Sequence, residues 1–211
     1  MNSLNQTVYI VDDDPSVRKG LGRLLKSAGY EVEIFGSARE FLNVDPICEG
    51  PACLVLDMKM PDLNGFDLQQ KLKKMDYALP IVFITGHGDI PMSVKAMKTG
   101  AVDFLTKPFD EDDLLSAVQE ALKKDIKTRE AIDERQSILH KIESLTPREY
   151  EILTYVITGM LNKQIAYDLD ISEKTVKVHR GRVMEKVGVD SVAQLVRLAD
   201  KAGIQPAEVP K

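Results

Sequence analysis

The chain offers almost nothing that would fix its fold covalently. Its 211 residues include two cysteines, Cys48 and Cys53, and no tryptophan. Two thiols make neither a metal cluster nor an oxidative framework, so both are read as free, Cys53 buried beside a strand. No apolar run is long enough to cross a bilayer, and Met1-Asn2-Ser3-Leu4-Asn5-Gln6 lacks the features of a secretion signal. No internal repeat or low-complexity stretch is present. The absences exclude a disulfide-stapled domain and a membrane-spanning protein. The expected compartment is the cytoplasm, with no membrane partner.

What remains is ordinary for a globular protein, 44% hydrophobic and 29% charged. The length suits two domains or one large one. Charge is spread unevenly. Residues 1–122 hold 12 Lys+Arg against 19 Asp+Glu, whereas residues 123–143 hold 6 against 5 and residues 144–211 hold 10 against 9. An acidic front and a near-neutral back point to two domains with different partners.

In the acidic part, the apolar run Ala52 to Leu56 reads as a buried parallel strand, and Asp57 closes it. Open α/β sheets place their chemistry at the carboxyl ends of strands. Pro61 and Gly65 mark a tight loop after it. Three more strands end suggestively: Val8–Val11 in Asp12-Asp13-Asp14, Ile81–Ile84 in Thr85-Gly86, and Val102–Leu105 in Thr106-Lys107-Pro108. One sheet edge thus collects carboxylates, a hydroxyl and an ammonium. Packed carboxylates repel, and a hard divalent cation such as Mg²⁺ compensates them. With the cation present, Asp57 can attack phosphorus to give an aspartyl phosphate. Thr85 and Lys107 can then contact the phosphoryl oxygens.

Singly, each residue has a plainer role. Asp14-Pro15 is a good helix start, with Asp as N-cap and Pro at the first helical position. Thr85 suits an ordinary strand, Lys107 a solvated loop, and Phe104 the core. Jointly, in order and spacing, residues 6–122 resemble the receiver domain of two-component response regulators. The resemblance implies that Asp57 accepts a phosphoryl group from a sensor histidine kinase. It implies that Asp13, Asp57 and the backbone carbonyl of Lys59 ligate Mg²⁺ (or Mn²⁺), with Asp12 in the same shell. Thr85 and Phe104 would be the switch pair, Lys107 the phosphate-contacting lysine, and the Lys107–Pro108 bond cis. The implied fold is a doubly wound, flavodoxin-like α/β domain with five parallel strands.

Asp110-Glu111-Asp112-Asp113 opens a helix whose apolar residues Leu114, Leu115, Val118, Ala121 and Leu122 follow a 3.6 period. Residues 123–143 lack Gly and Pro and read as a solvated helical linker extending it. Its thin stripe of Ile126, Ile132, Ile138, Leu139 and Ile142 would either pair with a second copy or dock on the chain itself. Residues 144–204 read as a four-helix domain. Thr146 caps the first helix, with Pro147 at N1 and Glu149 at N3. Gly159 ends that helix. Asn162 is read as the cap of a short second helix, and Asp170-Ile171 as a tight turn. Ser172 caps a third helix from Glu173 to Val187, which Gly188 stops, and Ser191 caps a fourth.

Two short helices about a tight turn, the second longer and basic, describe a helix-turn-helix. Val176, Val183 and Val187 form its buried stripe, leaving Lys174, Thr175, Lys177, Val178 and Arg182 outside. Such a face can neutralise phosphates and reach base edges, though charge alone equally suits a solvated helix in a bundle. The run Leu145-Thr-Pro-Arg-Glu, Asn162-Lys163-Gln164-Ile165-Ala166 and Ile171-Ser-Glu-Lys-Thr-Val-Lys-Val-His179 resembles the output domain of LuxR, NarL and FixJ transcription factors. With Thr85-Gly86-His87-Gly88-Asp89-Ile90-Pro91-Met92, the whole chain is most similar to the FixJ branch. The resemblance implies base contacts from Lys177 and Val178 and phosphate contacts from Asn162, Lys174, Thr175 and His179, with Lys163 and Arg182 also in the DNA-binding set. One departure is Gly181, which has no side chain where many relatives place a basic reader.

The resulting expectation is a response regulator that, once phosphorylated, dimerises and binds a double-stranded DNA operator, with RNA polymerase as a further partner. The altered surface would lie around residues 91–109. Two rival classes remain open on the sequence. An aspartyl phosphohydrolase usually needs a second acid two positions after the nucleophile, where this chain has Lys59. A signalling module with a protein- or RNA-binding output would not need the basic stripe.

Overall fold

The computed structural model describes residues 6–44, 50–61, 63–74, 79–86 and 90–208, without the side chains of residues 90–93. The amino-terminal hexapeptide up to Asn5, Cys48 and His87-Gly88-Asp89 of the FixJ-like run lie outside the described residues. The chain forms two compact units, Met1–Arg129 and Glu130–Lys211.

In the first unit, β1 (Thr7–Val11), β2 (Glu31–Phe35), β3 (Ala52–Asp57), β4 (Ile81–Thr85) and β5 (Asp103–Thr106) make one parallel sheet in the order β2-β1-β3-β4-β5. Helices α1 (Pro15–Ser27), α2 (Ala38–Leu42), α3 (Gly65–Leu72), α4 (Ile90–Lys98) and α5 (Glu111–Glu143) connect and follow the strands. Side chains alternate between the faces of a strand, and the core divides accordingly. Tyr9, Val11, Leu54, Leu56 and Phe83 pack with Phe41, Leu68, Leu72 and Ala96 of α2, α3 and α4. Val8, Ile10, Cys53, Val55, Val82 and Ile84 pack with Leu21 and Leu25 of α1 and Leu114, Val118 and Leu122 of α5. Because both faces are covered, β1, β3 and β4 read as continuous apolar runs.

Asp125 fixes the start of the strand that carries Asp57. Its buried carboxylate accepts the Ala52 N–H at 2.9 Å and the Arg129 Nε–H at 2.8 Å. Burial, helped by the Asp125 charge, pushes the neighbouring Cys53 thiol far above its ordinary range. Cys53 is therefore an inert core residue.

The second unit holds α6 (Pro147–Val156), α7 (Asn162–Asp168), α8 (Glu173–Val187) and α9 (Val192–Ala202). Its core includes Ile152, Leu153, Ile165, Val176, Val183, Val187 and Leu195, together with Ile138 and Ile142 from α5. The α5 stripe expected in the linker thus docks, at Ile138, Leu139 and Ile142, on the chain itself. Thr146 and Glu149 form the expected capping box on α6. Ser172 and Ser191 cap α8 and α9, and Gly188 ends α8 at a φ of +77°. The α7–α8 turn is made by Asp170 at a φ of +49°, which Asp tolerates better than most residues. One expectation fails locally. Asn162 is the first residue of α7, and Leu161 precedes it as the cap, its N–H held by Gln164 Oε1 at 2.8 Å.

Glu149 is 2% exposed, and its Oε2 accepts from Lys186 Nζ at 2.7 Å and from the Thr146 N–H at 2.9 Å. The Lys186 hydrogen bond, then the Thr146 backbone N–H, lowers its pKa from 4.5 to about 2. A depressed carboxylate contributes stability above its unfolded pKa and loses it as pH falls through the folded one. Glu149→Gln should therefore unfold at a lower temperature than wild type at neutral pH, and the gap should shrink between pH 4.5 and about 2. Calorimetric melting of the full chain across that range checks this; a gap independent of pH contradicts it. At Gly181 in α8 an added Cβ meets nothing within 4 Å, and the helix loses propensity there. Gly181→Ala should raise stability by about 0.5–1 kcal/mol, read from denaturant midpoints; a lowered midpoint contradicts it.

Candidate functional site

Strand order reverses between β1 and β3, and the crevice at such a reversal lies beyond the carboxyl ends of the two strands. Asp12 and Asp13 follow β1, and Asp57 closes β3. One oxygen from each of the three lies within 4.8 Å of the others, with Asp12 and Asp57 buried and Asp13 exposed. Lys107 enters after β5. Its ammonium donates to Asp12 Oδ2 at 2.7 Å and stands 3.7 Å from Asp57 Oδ2.

One ammonium against three carboxylates leaves the cluster under-neutralised. Burial pushes the Asp57 carboxyl above its ordinary range; Lys107 opposes this, Asp12 adds to it, the Lys59 N–H opposes it and Asp13 adds to it. Asp57 Oδ1 is buried and has no hydrogen-bond partner among the described residues. Such an oxygen is costly to leave unsatisfied. An all-oxygen donor set with an orphaned carboxylate oxygen fits a hard divalent cation.

The backbone holds this geometry firmly. Asp12 Oδ1 accepts the Asp14 N–H at 2.8 Å, and Asp14 caps α1 through the Ser16 N–H at 2.7 Å. Arg18, one turn into α1, donates from Nη1 to the Asp12 carbonyl at 2.5 Å. The Met58 N–H reaches the Ile84 carbonyl at 2.9 Å, tying the residue after Asp57 to β4. A Cβ on Gly65 would sit 2.5 Å from the Asp57 carbonyl oxygen and 3.1 Å from the Phe83 ring. Only glycine lets α3 start that close. The sequence marked Gly65 as a turn but gave no sign of this contact, and it gave none at all for Arg18.

The remaining receiver residues gather at the same edge. Thr85 is 1% exposed, and its carbonyl accepts the Lys107 N–H at 2.7 Å. Phe104 is half-buried, lies opposite Phe83 in the sheet register and packs on the first core cluster. The Lys107–Pro108 bond is cis. The Lys59 side chain is exposed, two residues beyond Asp57 in the same loop.

The second unit presents the basic face of α8. Lys174, Lys177 and Arg182 are exposed, and Val178 is 46% exposed. Thr175, expected outside, is half-buried, its hydroxyl 2.7 Å from the Ser172 hydroxyl and its N–H donating to Ser172 Oγ. His179 is half-buried, and its Nδ1 has no partner among the described residues. Lys163 is exposed at the start of α7. Asn162 Oδ1 accepts from Arg180 Nη1 at 2.8 Å, a contact that the sequence did not foreshadow.

Comparison with known proteins agrees with this geometry. Residues 8–119 match the response regulator receiver domain family, and residues 143–199 match the bacterial regulatory proteins of the luxR family. The chain is 48% identical to the response regulator protein TmoT of Ectopseudomonas mendocina, over 95% of this chain and 91% of that one. It is 41% identical to the transcriptional regulatory protein FixJ of Rhizobium meliloti, over 95% and 98%. The solved structure of the response regulator StyR superposes with a TM-score of 0.80 at 49% identity, covering 93% of this chain and 99% of that one. Among the described residues, no helix is long and apolar enough to cross a membrane. Receiver fold, acidic crevice and basic helix-turn-helix coincide with these matches, and the chain belongs to the response regulators that join a receiver domain to a LuxR-family DNA-binding domain.

Proposed function

We propose that this protein is a cytoplasmic transcriptional regulator gated by phosphorylation of Asp57. The observation that carries the reading is the buried, unpartnered Asp57 Oδ1 inside a cluster of three carboxylates and one lysine. A sensor histidine kinase is the proposed donor. A carboxylate oxygen of Asp57 forms the O–P bond as the bond from phosphorus to the donor nitrogen breaks. Asp12, Asp13, Asp57 and the Lys59 carbonyl would hold Mg²⁺, or Mn²⁺. When bound, the cation neutralises the carboxylates and the phosphoryl oxygens.

Lys107 already stands between Asp12 and Asp57, so it can exchange a carboxylate for a phosphoryl oxygen with a short movement. Thr85 is the hydroxyl proposed to follow the phosphoryl group, and Phe104 the ring that repacks in response. Such a coupled pair biases a two-state equilibrium. The favoured state is proposed to dimerise. Exposed Val94 and Met97, each 46% exposed on α4 within the 91–109 region, supply apolar surface for a second copy. A dimer presents two α8 helices to two DNA half-sites. RNA polymerase is the proposed partner at the promoter. The receiver acts on its own phosphorylation and is not a dedicated enzyme.

In the DNA interface, Lys177 and Val178 are proposed to meet base edges. Asn162, Lys174, Thr175 and His179 are proposed to hold phosphates, and Lys163 and Arg182 complete the proposed DNA-binding set.

Asp57→Asn should abolish phosphorylation by a small phosphodonor with Mg²⁺, because an amide is a poor nucleophile. Intact-mass measurement showing an undiminished phosphate adduct on the variant would overturn the assignment. For DNA, Lys177→Ala should cost about 1–3 kcal/mol on a specific site and blur sequence preference. Lys174→Ala should weaken binding to all sequences alike and lower the salt slope by about one. Titrations of phosphorylated protein at fixed salt compare them, and equal losses on specific and random DNA for both variants place the reading face elsewhere.

A further inference from the structure

The hydrogen bond between Asn162 and Arg180 links the two helices of the helix-turn-helix, from the first residue of α7 to the middle of α8. Eighteen residues separate the partners in sequence. Arg180 is one of five basic residues on α8, and the sequence reads Asn162 as the cap of α7. Instead, Leu161 occupies the cap, and the Asn162 carboxamide is free to meet α8.

The bond fixes more than a distance. Guanidinium N–H groups only donate, so the Asn162 atom facing Arg180 must be the carbonyl oxygen. That orientation turns the carboxamide nitrogen, with its two N–H donors, away from Arg180. Both residues line one open cleft of about 490 Å³, together with Gly159, Leu161, Lys163 and the acidic Glu173. A tetrahedral phosphate with free oxygens is the ligand such donors recognise, and DNA backbones present it in a regular array.

We infer that Arg180 is a positioning residue for DNA binding: its guanidinium orients Asn162 so that the carboxamide N–H groups donate to a backbone phosphate. The inference rests on the proposed placement of Asn162 against the DNA backbone. Arg180 thereby acts through Asn162 and not as an independent phosphate contact. Glu173 works against a phosphate in the same cleft, so the pair is a gain offset by a neighbouring charge.

A double-mutant cycle tests this on the full chain with a mixed-sequence DNA duplex, by fluorescence anisotropy over a range of salt concentrations. Phosphate contacts carry no base information, so a mixed sequence reports them directly. Asn162→Ala and Arg180→Ala should each weaken binding by roughly threefold to tenfold, the worth of one hydrogen bond. The double variant should be no weaker than the weaker single variant, because both remove the same contact. Arg180→Gln, which keeps a donor for the Asn162 oxygen without the charge, should recover part of the affinity. Thermal melting identifies any variant that has lost its fold, and Arg180→Met, which keeps the stem but has no donor, then completes the cycle in place of Ala. If the losses of the single variants multiply, Arg180 binds phosphate by itself and the inference is overturned. A separate fall of about 0.9 in the salt slope for Arg180→Ala alone would say the same. If Asn162→Ala binds as wild type, the placement of Asn162 itself fails, and the inference with it.

Discussion

Three carboxylates held together against their own repulsion are the constraint around which the first unit is organised. Asp12 and Asp57 are buried, so water cannot screen them, and Lys107 neutralises the group only in part. An arrangement this unfavourable persists only where surrounding structure enforces it. The enforcement is visible at every approach to the site: Arg18 on the Asp12 carbonyl, the Asp14 cap of α1, Gly65 against the Asp57 backbone, and Asp125 at the opposite end of β3. A site preloaded with negative charge and missing one donor has the chemistry that suits a hard cation. In the proposed mechanism, a cation held there is what lets an aspartate attack a phosphoryl group that also carries negative charge.

The second unit depends on a different economy. Its helices are short, and α7 has only seven residues. Caps and turn residues therefore carry much of the definition, with Thr146, Ser172 and Ser191 as caps and Asp170, Gly188 and Gly203 at positive φ. Buried Glu149 replaces apolar packing at one point with an ion pair to Lys186. The contact between Asn162 and Arg180 shows the same pattern on the surface, where one side chain sets the orientation of another.

Much of this was legible in the sequence, for local reasons. The runs ending at Asp12 and Asp57 are apolar because the central strands are covered on both faces, and Ser172, Gly188 and Ser191 announce helix ends through backbone chemistry alone. Strand β2 was not located, because Glu31 and Glu33 alternate with Val32 and Ile34 and break any apolar run. That is what an edge strand does: Glu31, Glu33 and Ile34 are exposed. The contacts that escaped reading are long-range. Asp125 meets Ala52 across 73 residues, and Asn162 meets Arg180 across 18. Neither has a signature in the residues around it. Asn162 was read as a cap because Asn commonly caps helices; a partner on another helix overrode that local preference.

In the proposed mechanism, the state of Asp57 governs DNA binding by the second unit. This dependence is tested most directly by measuring the affinity of the full-length protein for an operator fragment, with Mg²⁺ and with or without a small phosphodonor, in wild type and in Asp57→Asn. The phosphodonor should tighten binding by wild type and leave the variant unchanged. Equal tightening in both proteins, or none in a wild type shown by mass to be phosphorylated, would contradict it.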